Sequence, residues 1–164
     1  AVFKAIGMQK IFHPEEWTKV TSWTWYVTSL LVLCMLPYLP AAYAGLVVLG
    51  FGDPAAGVVG RRWGSTLVPG AGRKTFEGAI AFMLVGWAAS TAVLAACFGR
   101  EIGLSGAILL SAAAAFGGCV GELYHVSVWK GIDDNFSVPV MAALTALLMA
   151  NGAGFISILP RLFS

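Results

Sequence analysis

Long apolar runs alternate with short polar ones along this chain. A membrane-crossing helix needs roughly 20 apolar residues. Five runs approach that length. The first covers 21–36 and is ended by Pro37 and Pro40. The second covers 40–51 and resumes at 55–59, after Gly52, Asp53 and Pro54. The third covers 76–98, and residues 99–103 form a short turn. The fourth covers 104–121, with 122–128 able to continue it, and the fifth covers 137–159, weakened at 151–154. This pattern predicts an all-α, polytopic transmembrane helix bundle of about five spans. Asp followed by Pro is a helix-start signal, with the Asp as N-cap and the Pro at the first helical position. The second span is therefore expected to be broken at Asp53–Pro54. Residues 1–20 are mixed and read as an interfacial segment, while 60–75 and 129–136 read as polar loops of one membrane-embedded domain, 1–164.

Composition sharpens this picture. The chain is 59% hydrophobic and 11% charged, against about a quarter charged in soluble domains. A water-soluble fold of this size has no way to hide so much apolar surface, so lipid must be its solvent. A net charge of +2 without a basic tail argues against nucleic acid as a partner. Cys34, Cys97 and Cys119 lie in apolar runs, without zinc or redox spacing, and read as packing residues. The chain opens on Ala1 with no signal-peptide pattern, and this start is expected to be a truncation.

Charge also sets an orientation. With 60–74 in the cytoplasm, alternation puts Lys4, Lys10, Lys19, Arg61, Arg62, Arg73, Lys74 and Lys130 on that side. Only Arg100 and Arg161 fall on the other. Eight against two fits the positive-inside rule.

Glu15, Glu16 and Glu101 read as surface residues, while the other five acids gather with the loop cations into three clusters beside the polar loops. In the first, Asp53 precedes small residues that include Gly57 and Gly60, followed by Arg61 and Arg62. A helix starting at Pro54 would aim free N–H groups at an anion, and Arg forks suit phosphate. The plainer alternative is that Asp53 only caps a helix and the arginines anchor to lipid headgroups. In the second cluster, Gly72, Arg73, Lys74 and Thr75 form a Gly-rich basic loop without P-loop spacing. Thr75 can cap the third span, and Glu77 would then sit in its first turn, where the helix dipole already favours an acid. In the third, Glu122 precedes Asp133, Asp134 and Asn135, hard oxygen donors that suit Mg²⁺. Their plainer reading is a polar loop and a turn. Glu122 and His125 share a helix face, but His125 is not counted as a ligand. Acids for a metal and cations for phosphates on one membrane face fit phosphoryl or nucleotidyl transfer.

The runs GDPAAGVVGRRWG, GRKTFEG and GELYHVSVWKGIDDNFSVP, in that order, resemble the CTP-dependent polyprenol kinase family: dolichol kinase, phytol kinase and CTP-dependent diacylglycerol kinase. The resemblance covers roughly 15–139. The chain is also similar to phosphatidate cytidylyltransferase in the first two motifs. Asp133-Asp134-Asn135 followed by Pro139 looks like the kinase pattern, whereas the Lys-Asp, His-Gly-Gly and Asp-Arg-x-Asp elements of the cytidylyltransferase are missing. The kinases generally carry further spans and a basic element ahead of this region. The resemblance implies transfer of the γ-phosphoryl of CTP to a membrane lipid alcohol. Asp133 and Asp134 would hold Mg²⁺, with Asn135 or Glu122 assisting. Gly57, Gly60, Arg61, Arg62, Gly72, Arg73, Lys74 and Thr75 would bind the triphosphate. Asp53 would be a second ligand or the base, and Glu77 would orient Lys74. Phosphatidate cytidylyltransferase is the alternative activity. A small transporter or channel subunit with a broken helix as ion site is the non-enzymatic one. Gly117, Gly118 and Gly121 would pack helices within one chain or between two, leaving a homodimer open.

Overall fold

A computed structural model describes residues 22–128 and 131–156, the side chains of 125–128 excepted. The interfacial segment 1–20, the His125 side chain, Trp129, Lys130 and the last residues of the fifth run lie outside these. The described helices are α1 (Ser22–Cys34), α2 (Leu39–Trp63), α3 (Phe76–Val128) and α4 (Asp134–Gly152). An all-α membrane bundle is what the structure shows: α2, α4 and α3 as far as Tyr124 are long and apolar enough to cross a bilayer.

α3 is two helices in one element. Gly103 takes φ 67° and ψ 173°, which interrupts the helix at the turn expected from sequence. A positive φ of this kind favours glycine, which has no Cβ to clash. Contacts between the arms then run antiparallel. The Trp87 indole N–H donates to the Ile108 carbonyl at 3.2 Å. Ser111 donates to Ser90 at 3.0 Å, and the Cys119 thiol approaches the Ala79 carbonyl at 3.9 Å. Each arm has about 25 residues and is thus ~38 Å long, enough for one crossing of ~30 Å. Among the described residues, with the arms counted separately, four segments reach crossing length, whereas the 13 described residues of α1 fall short of it.

The expected break in the second span is not there: α2 runs unbroken through Asp53 and Pro54. Pro54 cannot donate to the Gly50 carbonyl, a defect that costs roughly 3 kcal/mol in an unsupported helix. Packing outweighs it. Around Pro54, a Cβ on Gly52 would lie 3.1 Å from Phe82, and one on Gly60 would lie 3.1 Å from the Thr75 hydroxyl. This close seating of α2 against α3 and the residue before it keeps the helix continuous through the defect. The proline start signal is used earlier instead: Tyr38 caps α2 and Pro40 sits in its first turn. Accordingly, no helix begins at Pro54 to present amide donors.

Small residues fill the interior. Ala41, Ala44, Ala107, Ala114, Ala142, Ala143, Ala146 and Ala150 are buried, while Trp23, Leu31, Met35, Phe51, Phe116 and Leu148 are exposed. Gly117 packs against Thr145 and the Met141 carbonyl, Gly118 against Val48 and Phe82, and Gly121 against Ser137 and Val138. All three glycines thus join helices within one chain. Close backbone approach is how helices associate where lipid removes the hydrophobic driving force.

The helix ends sort onto two faces. The Ser22 hydroxyl at the start of α1 donates to Asp133, just before α4, at 2.7 Å. The end of α2, both ends of α3 and the start of α4 join them on this face. The start of α2 and the α3 turn lie at the other, where Tyr43 stacks edge-on with Phe98.

Candidate functional site

The segment 64–75 folds as a hairpin-like loop. The Val68 N–H donates to the Lys74 carbonyl at 3.0 Å, and the Phe76 N–H donates to the Thr66 carbonyl at 2.9 Å. Gly70 and Gly72 turn the chain with φ of 78° and 66°. Gly72 thus serves the turn, and it is not among the residues that line the cavity described below. Buried Val68 and Ala71 anchor the loop from below. Its end passes into α3 through a cap, in which the Gly78 N–H donates to the Thr75 hydroxyl at 3.2 Å. Glu77, in the first turn, accepts from the Ser65 hydroxyl at 2.6 Å and from the Thr66 N–H at 3.2 and 3.3 Å. Its carboxylate thus pins the start of the loop, and it is Glu122 that binds Lys74.

The acids converge from three helices. Asp53 of α2, Glu122 of α3 and Asp134 of α4 each place a carboxylate oxygen within 4.8 Å of the others. Glu122 is buried, only 3% exposed. The Lys74 ammonium reaches this group from the loop: it is bonded to Glu122 and lies 3.6 Å from Asp134. Burial alone would lower the Lys74 pKa. The charge and hydrogen bond of Glu122, with Asp134 and Asp53 behind it, reverse this and hold it above its ordinary value of 10.5.

Asp133 and Asn135 belong to the helix end instead. Asp133 is the N-cap of α4. It accepts from the Asn135 N–H at 3.0 Å and the Asn135 side-chain amide at 2.8 Å, as well as from Ser22. Burial would raise its pKa, but these donors outweigh it and hold it below its ordinary 3.8. An Asp-Asp-Asn run just before an apolar helix is a cap signal, so this much was readable from sequence. What sequence distance concealed is that Asp134 also groups with Asp53 and Glu122 from the other two helices.

A cavity of about 880 Å³ opens beside the acids. Asp53 and Glu122 line it on one side, and Arg61, Arg73 and Lys74 supply cations. Gly57, Gly60, Thr75 and Gly78 form small walls, and Ala56, Ala79 and Leu123 an apolar one. A Cβ on Gly57 would sit 3.2 Å from the Arg61 guanidinium, so glycine there leaves that side chain its space. Arg62 turns the other way, stacked over the Trp63 ring at 5.2 Å. Of the expected phosphate-binding residues, then, Gly57, Gly60, Arg61, Arg73, Lys74 and Thr75 meet at one cavity, while Arg62 and Gly72 lie away from it.

Fold and site together define an α-helical membrane protein with a charged pocket at one end of its bundle. Three carboxylates face three cations there, an arrangement able to hold a divalent ion and a phosphate chain side by side. The chain is 31% identical over 129 residues to the chloroplastic farnesol kinase of Arabidopsis thaliana, which covers 76% of this chain. It is a homologue of that kinase, in line with the CTP-dependent polyprenol kinase family that its motifs resemble. The chain spans 41% of that relative's length. No sequence-family model matches the chain, and no solved structure does.

Proposed function

We propose that this chain carries the catalytic site of a CTP-dependent lipid kinase, which moves the γ-phosphoryl group of CTP to the hydroxyl of a membrane lipid alcohol with Mg²⁺. The observation that carries the proposal is the meeting of Asp53, Glu122 and Asp134 within 4.8 Å, beside the cavity that Arg61, Arg73 and Lys74 line. Carboxylates from three helices offer hard oxygens to a divalent ion, of which Mg²⁺ usually takes one or two and leaves its other positions to water and phosphate. When bound, Mg²⁺ would neutralise charge on the phosphates and draw them into line.

The protein's own groups supply the rest. Arg61 and Arg73 bind the phosphate oxygens as forks. Lys74, which also lines the cavity, sets a point charge where the transferred group passes. Asp53 accepts the alcohol proton or shares the metal. Glu77 positions the loop that carries Arg73 and Lys74. Phosphoryl transfer asks little covalent chemistry of a protein, so positioned charge is the main contribution. The apolar wall of Ala79 and Leu123 suits an acceptor whose hydroxyl lies at headgroup depth and whose tail stays in lipid. The distribution of Lys and Arg supports a cytoplasmic site, where CTP is available.

The test is transfer of label to farnesol, phytol, a longer polyprenol and diacylglycerol, with CTP labelled at either the α or the γ position. Label from γ alone, dependent on Mg²⁺, is the expected result. Label from α would mean cytidylyl transfer, and ATP equal to CTP would remove the nucleotide assignment.

A further inference from the structure

We propose that Lys74 is a built-in stand-in for the divalent ion: its ammonium occupies the carboxylates that would otherwise hold the metal, and metal binding releases it into the nucleotide cavity. This rests on reading the three acids as a metal site. Asp53, Glu122 and Asp134 crowd three negative charges into a span of 4.8 Å, at the end of a bundle with a buried Glu122. Like charges that close repel strongly where water is scarce. Such a cluster calls for a cation, or for a proton on one of its members, whenever the metal is absent.

Lys74 meets that need. It bonds Glu122 and lies 3.6 Å from Asp134, two of the three acids. Its origin suits a mobile role. It comes from the hairpin-like loop, where the backbone is held at both ends by the Val68–Lys74 and Thr66–Phe76 hydrogen bonds. The flexible four-carbon stem can therefore swing while the loop stays fixed. The acids, by contrast, sit on helices fixed by packing. A metal entering between them takes over the carboxylate oxygens and repels the ammonium. Lys74 also lines the cavity together with Arg61 and Arg73. Its free position is hence next to the other two cations, where a phosphate chain would be received. Metal binding and nucleotide binding would then be coupled through one side chain, the order being metal first or metal with nucleotide.

The experiment uses the full chain in detergent micelles without nucleotide, and Mn²⁺ as the probe, followed by the magnetic resonance signal of the free ion. Removing the competing charge with Lys74→Met should tighten Mn²⁺ binding by at least ~10-fold, while Lys74→Arg stays near the parent. Equal or weaker binding in Lys74→Met would overturn the proposal. The unaltered protein gives a second measurement, the rate at which Lys74 is acylated by an amine reagent, read by peptide mass. Saturating Mn²⁺ should raise that rate several-fold, and continued protection would equally refute the swap. Neither measurement involves CTP, so failure of the kinase reading would leave both results standing on their own.

Discussion

Glu77 and Ser65 are joined by a 2.6 Å hydrogen bond that ties the first turn of α3 to the start of the basic loop. The Thr66 N–H adds a second donor to the same carboxylate. Because the loop carries Arg73 and Lys74, this clamp sets where two cavity cations stand. Glu77→Ala should raise the KM for nucleotide about tenfold, equivalent to ~1.4 kcal/mol of lost positioning, with kcat much less affected. Steady-state kinetics at varied CTP separates the two constants. A large fall in kcat at unchanged KM would give Glu77 a part in the chemical step instead.

The carboxylates should behave as a unit. Asp53→Asn, Glu122→Gln and Asp134→Asn are each expected to lower transfer by ~100-fold or more, and the double variants by little more than the singles. Chelation of divalent ions should do the same to the parent protein. Asp133→Asn keeps one cap oxygen, loses the charge and the second oxygen that Ser22 uses, and should cost about 1 kcal/mol or less of stability. If Asp133→Asn proved as damaging to transfer as Asp134→Asn, with the thermal midpoint unchanged, the assignment of ligands would be wrong.

Two adjacent arginines part company. Arg61 lines the cavity, whereas Arg62 stacks over Trp63. Arg61→Ala should weaken nucleotide binding by about 1.5–3 kcal/mol, the usual worth of a hydrogen bond to a charged group. Arg62→Ala should leave it within twofold. Equal effects would mean that the two side chains share a phosphate chain.

The bundle and much of the pocket could be foreseen. Apolar length alone marked the spans, and the turn before Gly103 was visible as a short polar break. Thr75 followed by Glu77 announced the cap of α3. Asp53–Pro54 misled, because its local start signal is identical to one that works; only the contact of Gly52 with Phe82 and of Gly60 with Thr75 shows that packing overrules it. Nor could Asp53, Glu122 and Asp134 be grouped by spacing. They come from three different helices, and only the antiparallel return of α3 brings them together.

Tyr38 supplies a pH signature at the opposite face. Its hydroxyl is buried, with no hydrogen-bond partner among the described residues. Burial, and then the charge of Glu101, raise its pKa above the ordinary 10.0. The neutral phenol is thus favoured in the folded state. That contribution is complete below pH 10.0 and is lost as pH rises through the folded pKa. Tyr38→Phe should flatten the alkaline fall in thermal midpoint and leave stability at pH 7 equal or higher, since no bond is broken. An alkaline fall of the same size in both proteins would place its cause elsewhere.

The α3–α4 seam is sensitive to bulk. At Gly117 a side chain would run into Thr145 and the Met141 carbonyl. Gly117→Val should therefore cost roughly 1–3 kcal/mol through overpacking. Leu148→Val, on the exposed side of α4, should cost under ~0.5 kcal/mol. Thermal denaturation in micelles compares the two, and an equal response would contradict the packing described.

With alanine and glycine at its centre and tryptophan, leucine and phenylalanine at its rim, this protein inverts the usual map of mutational tolerance. Bulky side chains that meet lipid can be exchanged for one another, because a fluid solvent closes around whatever shape it is offered. The smallest residues cannot, because what they contribute is the absence of atoms. Sequence drift should accordingly concentrate in the large side chains that face lipid, and spare the least conspicuous residues along with the few large ones, such as Phe82, that share the interior with them.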